Sequence, residues 1–171
     1  MNYPVSLGLG ARLTTALVAI LFVGVIGLNM FILPDDNIVW VSAIHWGTSL
    51  LLVGIFIYCY LFRVVGYTVD RERITIQRPF GEKHIPITDI DKVILPEKGS
   101  MRWTIRTFGN GGIFGYTGSF ANSTYGSMTW YATRTDKTIL VVTKEKKKIL
   151  LTPDDLQMAD EIIRQQNRHT R

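Results

Sequence analysis

The stretch LTTALVAILFVGVIGLNMFIL, residues 13–33, contains no Asp, Glu, Lys or Arg, and neither does IVWVSAIHWGTSLLLVGIFIYCYLF, residues 38–62. Each is at least as long as the roughly 20 residues that a helix needs to cross a bilayer. Backbone polar groups in lipid must be satisfied within the segment, so both stretches are predicted to be helices. The Pro-Asp-Asp-Asn sequence at 34–37 is too short for anything but a turn, which predicts an antiparallel transmembrane hairpin over residues 1–62.

The basic residues around these segments predict their orientation. Arg12 precedes the first segment, several arginines follow the second, and the turn between them has no Lys or Arg. Because basic residues favour the cytoplasmic side, we expect both termini in the cytoplasm. A cleaved signal peptide is not favoured, since the first run is long, lacks an A-x-A site and is followed at once by a second run.

Residues 63–171 differ sharply in composition, because they hold 18 of the 19 basic and 12 of the 14 acidic residues. The single cysteine, Cys59, excludes a disulfide framework. Alternating β-branched runs predict strands, and the alternation at Trp103 and Ile105 predicts that both side chains are buried. A long Gly-rich and aromatic connection is expected at 108–127. The predicted strands lie near 64–69, 73–78, 83–87, 90–95, 101–107, 128–134, 137–143 and 147–151.

The chain ends in a predicted helix over 153–168. Thr152 is expected to cap it, Pro153 suits its first position, and two acidic residues favour its positive end. Apolar residues then follow at helical spacing. The sequence therefore predicts an α+β membrane protein: a hairpin over 1–62, with spans at about 13–33 and 38–62, and a mainly antiparallel β sandwich or barrel over 63–171 that a C-terminal helix closes.

Several sequence blocks in the second half resemble bacterial pleckstrin-homology-like (PH-like) domains. The resemblance covers roughly residues 66–163 and includes GYTV at 66–69, RITI at 73–76, IPITDI at 85–90, FGNGGIFGYTGSF at 108–120, WYAT at 130–133 and TPDD at 152–155. It implies a bent seven-stranded antiparallel sandwich with a C-terminal helix, and it implies no catalytic activity. With the positive-inside pattern, it places the chain in the bacterial cytoplasmic (inner) membrane as a multi-pass protein.

Possible catalytic and cofactor sites have little support in the sequence. The glycines at 109–118 are followed by aromatics rather than by a helix or a Gly-Lys-Ser/Thr motif, so they are interpreted as packing positions and not as a phosphate loop. His45 is the one histidine inside the predicted spans, and the other histidines lie outside them. No Cys or His has a neighbour at metal-ligand spacing, so no cofactor, metal or catalytic residue is expected.

The remaining candidates are basic residues for contact with lipid or with a partner. Arginines close after the second span are expected to face anionic headgroups, and lysines surround a predicted hairpin tip. The candidate residues are Arg63, Arg71, Arg73, Arg78, Lys144, Lys146, Lys147 and Lys148. Nucleic acid is not expected as a partner, because the lysine cluster lacks interleaved aromatics.

The sequence therefore predicts a non-enzymatic binding or assembly module integral to the bilayer. It recognises a protein partner or itself, with anionic phospholipid as a further expected contact. The alternative is a small transporter or membrane-enzyme subunit that uses His45 or the Gly/aromatic connection.

Overall fold

The computed structural model describes residues 1–31, 39–97 and 99–169. Two long apolar helices come first, α1 (Leu9–Phe31) and α2 (Val39–Leu61). They pack antiparallel, with the Phe22 and Phe56 rings 6.2 Å apart and Asn29 Nδ2 3.3 Å from Ser49 Oγ. Both are long and apolar enough to cross a membrane, and the rest of the protein leaves their apolar stretches uncovered. The two predicted helices are thus confirmed; the predicted turn at 34–37 lies outside the described residues.

Ten strands and a C-terminal helix form the rest of the described structure. The strands are β1 (Asn2–Pro4), β2 (Gly66–Val69), β3 (Arg73–Gln77), β4 (Lys83–Pro86), β5 (Ile90–Ile94), β6 (Ile105–Gly111), β7 (Tyr116–Asn122), β8 (Gly126–Ala132), β9 (Ile139–Thr143) and β10 (Lys148–Leu151), and the helix is α3 (Gln157–His169). One sheet has the order β1-β2-β3-β4 and the other the order β5-β9-β10-β8-β7-β6. All pairs are antiparallel except β8 with β10, which confirms the mainly antiparallel architecture.

The main core lies between the two sheets and under α3. It joins Ile74 and Ile76 of β3 to Val141 of β9 and Leu151 of β10, with Met158 of α3 on top. Alternating apolar residues of β3 supply this face because successive strand side chains point to opposite sides. A second cluster, which includes Phe120, Trp130 and Leu150, covers the other face of the six-stranded sheet.

Tyr67 of β2 connects the sheets at the centre of the domain. Its hydroxyl donates a hydrogen bond to the Tyr131 carbonyl of β8 (2.5 Å) and accepts one from the Thr152 amide (3.0 Å). The side chain is fully buried. Burial raises the pKa of the Tyr67 phenol to about 12, although the hydrogen bond from Thr152 acts in the opposite direction.

Three expectations need correction. The predicted strand at 101–107 is displaced, because strand β6 begins at Ile105; Trp103 precedes it and is exposed, as is Ile105. The connection expected at 108–127 instead contains most of β6, all of β7 and the start of β8. Helix α3 begins at Gln157 rather than near residue 153, because the Asp155 carboxylate accepts the Gln157 amide while Thr152 bonds the Thr133 amide of the preceding sheet.

The strand count also exceeds the seven that the resemblance implied. Strand β1 comes from residues ahead of the first helix and pairs with β2 in the register Tyr3 with Tyr67. A single turn of 3-10 helix at Ile87–Asp89 separates β4 from β5. The N-terminal segment is therefore an edge strand of the β domain, and the division of the chain at residue 62 stays a prediction.

Candidate binding site at the helix–domain junction

The β domain meets the two helices at one end, which we call the helix-proximal end. The Gly8 amide, just before α1, donates to the Thr133 carbonyl just after β8 (2.9 Å). The Phe80 amide, between β3 and β4, donates to the Leu61 carbonyl at the end of α2 (3.0 Å). Both helices are therefore fixed to the domain through backbone hydrogen bonds.

Phe114, in the turn between β6 and β7, contacts both helices. Its ring lies 5.0 Å from the Phe56 ring and 5.5 Å from the Tyr60 ring of α2, measured between centroids, and its amide donates to Thr15 Oγ1 of α1 (2.8 Å). Phe114 has a φ of 56°, and a Cβ at the neighbouring Gly112 would lie 2.9 Å from Thr14. The Gly/aromatic segment is thus a tip that packs against the helices, in agreement with its interpretation as a packing element.

A polar cluster fixes the segment that leads into α1. The Arg134 guanidinium bonds both carboxylate oxygens of Asp136 (2.6 Å each), Asp154 Oδ1 (2.9 Å) and Ser6 Oγ (3.0 Å). Burial opposes ionisation of Asp154, but the hydrogen bonds from Ser6 and Arg134 outweigh it and lower the pKa of this carboxyl. The hydrogen bonds from Arg134 likewise lower the pKa of Asp136. Arg134 is therefore a neutralised, structural arginine.

Two clefts flank the junction, and each contains arginine. The first, which we call the two-arginine cleft, has a volume of about 390 Å³ and is lined by Arg12 at the start of α1, Arg63 after α2, residues 5–7 and Phe114. The Arg63 guanidinium lies 4.1 Å from the centroid of the Tyr60 ring. In the second cleft, Arg78 lies beside Phe62 and Tyr131, with guanidinium-to-centroid distances of 5.6 and 5.9 Å.

The structure separates the predicted contact residues into two groups. Arg63 and Arg78 lie at the helix-proximal end. The other candidates lie at the opposite end of the strands: Arg71 in the β2–β3 turn, Arg73 at the start of β3, Lys144, Lys146 and Lys147 in the β9–β10 turn, and Lys148 at the start of β10. The seven residues of β8 separate the ends by roughly 20 Å at the usual rise per residue. Closeness in sequence to the second helix thus does not bring Arg71 and Arg73 near it. Contact of any of these residues with lipid or with a partner stays a prediction.

The lysine turn is solvated and partly paired. Lys146 bonds Asp91 (2.9 Å) and Lys147 bonds Glu145 (2.7 Å). The hydrogen bond with Glu145 raises the pKa of Lys147, and both groups are exposed. Exposed pairs of this kind contribute little to stability, so the turn is a soluble surface at the far end of the domain.

Strand β6 presents an exposed apolar edge that the sequence did not predict. It is the last strand of the six-stranded sheet, and no other described strand pairs with its outer side. Trp103, Ile105 and Phe108 are 84%, 73% and 79% exposed. No Asp or Glu occurs between Glu97 and Asp136, so only the arginines at 102 and 106 give this edge charge.

The described residues contain no group of three or more His, Cys, Asp or Glu side chains that would hold a metal ion. His45 lies early in α2, roughly 24 Å from the helix end at Leu61, and none of the described residues hydrogen-bonds its Nδ1 atom. Cys59 lines the Arg78 cleft. The junction thus offers cationic and aromatic groups suited to binding.

The comparison with known families matches this architecture. The family model described as the bacterial PH domain matches residues 65–167, which is more than half of the chain. The chain belongs to the bacterial PH domain family. No curated protein and no solved structure gave a match. The predicted resemblance is confirmed, and membership supports a binding or assembly module, since PH-like domains are generally non-catalytic.

Two features of this bacterial PH domain escaped the sequence analysis. In the sequence Arg12 indicates only the orientation of the helices, yet in the structure it lines the same cleft as Arg63. The run of residues without acids from 99 to 135 was the available signal for the β6 edge. It was missed because the alternation at Trp103 and Ile105 indicated burial.

Proposed function

We propose that this protein is a non-enzymatic bacterial PH domain anchored in the cytoplasmic membrane, where it recognises a segment of a partner protein along strand β6. In this proposal α1 and α2 cross the bilayer and both termini lie in the cytoplasm. The length and apolarity of the helices support anchoring, and the arginines that flank them support the orientation. The contacts at the helix-proximal end would hold the domain in a fixed orientation relative to the membrane.

The observation that carries partner recognition is the exposed edge of β6. An open strand edge offers unpaired N–H and C=O groups that can bond an added strand. Three large, exposed apolar side chains, Trp103, Ile105 and Phe108, lie in or beside this strand. Exposed apolar patches of this kind mark interaction sites in soluble domains.

Charge defines the class of partner. Arg102 and Arg106 are exposed beside the apolar side chains, and no described carboxylate lies within 4.0 Å of either guanidinium. An extended segment that alternates acidic and apolar residues would place its carboxylates on these arginines and its apolar side chains on Ile105 and Phe108. We therefore assign the β6 edge to an acidic, extended segment of another protein.

Site-specific photo-crosslinking in intact cells tests this assignment. A benzophenone amino acid at Ile105 should give an adduct with one protein, and mass spectrometry should locate the adduct in an extended, acid-containing segment. The matched control at Lys92, exposed on the opposite edge strand β5, should give none. Arg106→Glu should reduce the adduct at least about fivefold, whereas Arg168→Glu, on α3, should leave it unchanged.

Three outcomes would contradict the proposal. Equal adducts at Ile105 and Lys92 would indicate unspecific collision. An adduct only with a second copy of the chain would mean that the β6 edge mediates self-association and does not recognise another protein. If Arg106→Glu does not reduce the adduct, charge complementarity does not contribute to recognition of the partner.

A further inference from the structure

The two-arginine cleft brings together two basic side chains at the domain-facing end of the helical pair. Arg12 lies in the first turn of α1, and Arg63 follows the end of α2. Residues 5–7, which the Arg134 cluster holds against the domain, supply one wall, and Phe114 supplies another. The cleft therefore exists only when the N-terminal segment, both helices and the domain are assembled.

Neither arginine is neutralised by the protein. No described carboxylate lies within 4.0 Å of Arg12 or Arg63, whereas Arg134 contacts two. The Arg63 Nε atom is buried and has no hydrogen-bond partner in the described part of the chain. Its guanidinium stacks on the Tyr60 ring, 4.1 Å from the centroid, and lies 5.9 Å from the centroid of the Phe114 ring.

This arrangement is costly without an anion. Two cations lining one cleft repel each other, and a buried donor without a partner is unfavourable. Aromatic stacking holds the planar Arg63 guanidinium in a limited set of orientations, so less conformational entropy is lost when it bonds a ligand. Guanidinium groups present several N–H donors in a plane, which fits the tetrahedral oxygens of a phosphate.

We propose that Arg12 and Arg63 together bind a phosphate group in this cleft. The two residues directly flank the charge-free segments 13–33 and 38–62, so in a membrane both lie at the depth of the headgroups. The favoured source is the phosphate of an anionic glycerophospholipid of the cytoplasmic leaflet. This source rests on the proposed membrane anchoring, while the phosphate chemistry of the cleft does not.

The test uses the purified full chain in a mild non-ionic detergent, with dihexanoyl phosphatidylglycerol, glycerol 1-phosphate and dihexanoyl phosphatidylcholine as three separate probes. Binding is measured by native mass spectrometry and by the rise in unfolding temperature on titration. Phosphatidylglycerol should bind saturably with one molecule per chain. Arg12→Gln and Arg63→Gln should each weaken it about tenfold or more, since each removes charge-assisted hydrogen bonds.

Two further variants separate a site from general charge attraction. Arg168→Gln makes the same change of charge on α3, far from the cleft, and should leave the affinity within about twofold. Arg63→Lys keeps the charge but loses the planar donor set, and should still weaken binding severalfold. Circular dichroism of each variant confirms that it is folded before its affinity is compared.

The outcomes are distinguishable. Equal losses from Arg12→Gln and Arg168→Gln, or binding that never saturates, would overturn the site. Glycerol 1-phosphate binding as tightly as the lipid would keep the phosphate site and overturn its lipid source. Retention of the chain in alkali-washed membranes without phosphatidylglycerol binding would overturn this inference alone, whereas release of the chain from them would overturn the proposed anchoring.

Discussion

Replacing Tyr67 by Phe removes a hydroxyl that joins both sheets to the segment before α3. The ring still fills its buried site, so the change isolates the loss of two hydrogen bonds. The Tyr131 carbonyl loses a donor at 2.5 Å, and the Thr152 amide loses its acceptor at 3.0 Å while it remains buried. A lost hydrogen bond with an unsatisfied buried partner costs about 1–3 kcal/mol, so we expect about 2–4 kcal/mol for the pair.

The same substitution has a pH signature. The pKa of Tyr67 is about 12 in the folded chain and 10.0 in the unfolded chain. At pH values between about 10 and 12, unfolding therefore releases the proton of the Tyr67 phenol. The contribution of this group to stability is complete below pH 10 and is lost as pH rises through about 12. Two pKa units correspond to about 3 kcal/mol. The Phe variant should lack this part of the alkaline destabilisation. Burial also raises the pKa values of Tyr3 and Tyr116, so the stability of the variant should still fall with rising pH, but less steeply.

Thermal unfolding of the full chain in detergent, followed by near-UV circular dichroism, measures both effects. For a chain of this size the loss corresponds to a fall in unfolding temperature of about 5–10 °C at pH 7. The reasoning is refuted if the Phe variant melts within about 1 °C of the parent protein, or if its stability falls between pH 10 and 12 as steeply as that of the parent.

Two further predictions concern residues that the structure places differently from the sequence analysis. Tyr3→Ala should lower the free energy of unfolding by about 3 kcal/mol, because the ring lies in the main core, whereas Asn2→Ala on the exposed side of the same strand should cost under about 1 kcal/mol; equal effects would contradict docking of β1. Trp130→Ala should lower the free energy of unfolding by about 3–5 kcal/mol, because Trp130 is buried, whereas Trp103→Ala, at an exposed residue, should lower it by under about 0.5 kcal/mol. Chemical denaturation measures both, and the reverse order would show that Trp103 is the buried side chain.

The helices and most strands could be predicted because local sequence determines them. Runs without charge predict long apolar helices. Every predicted strand except 101–107 has its last residue within two positions of the last residue of an observed strand. The β6–β7 pair was interpreted as a connection because its glycines look like turn residues. A Cβ at Gly109 would lie 2.3 Å from the Thr117 carbonyl oxygen, and one at Gly118 would lie 2.3 Å from that of Phe108. These glycines therefore permit two strands to approach closely. The sequence alone does not show this, because it does not show which strand lies opposite them.

The binding features depended on contacts between distant parts of the chain. Strand β1 has three residues and pairs with a strand more than sixty positions later, so no local pattern could indicate it. Arg12 and Arg63 share a cleft only because α1 and α2 are antiparallel, so that the start of α1 and the end of α2 lie together beside the domain. Arg73 shows the opposite case, since it follows α2 closely in sequence but lies beside Pro86 at the far end of the sheet.

The central claim, a PH domain held on the cytoplasmic side of a membrane by two crossing helices, is tested most directly by cysteine accessibility. In a Cys59→Ala background, single cysteines are placed at Asn37, between the two apolar segments, and at Lys144, on the exposed β9–β10 turn. A membrane-impermeant maleimide added to intact spheroplasts should label the cysteine at Asn37 and should reach the one at Lys144 only after the membrane is permeabilised. Labelling at Lys144 in intact spheroplasts, with none at Asn37, would contradict the proposed anchoring and orientation.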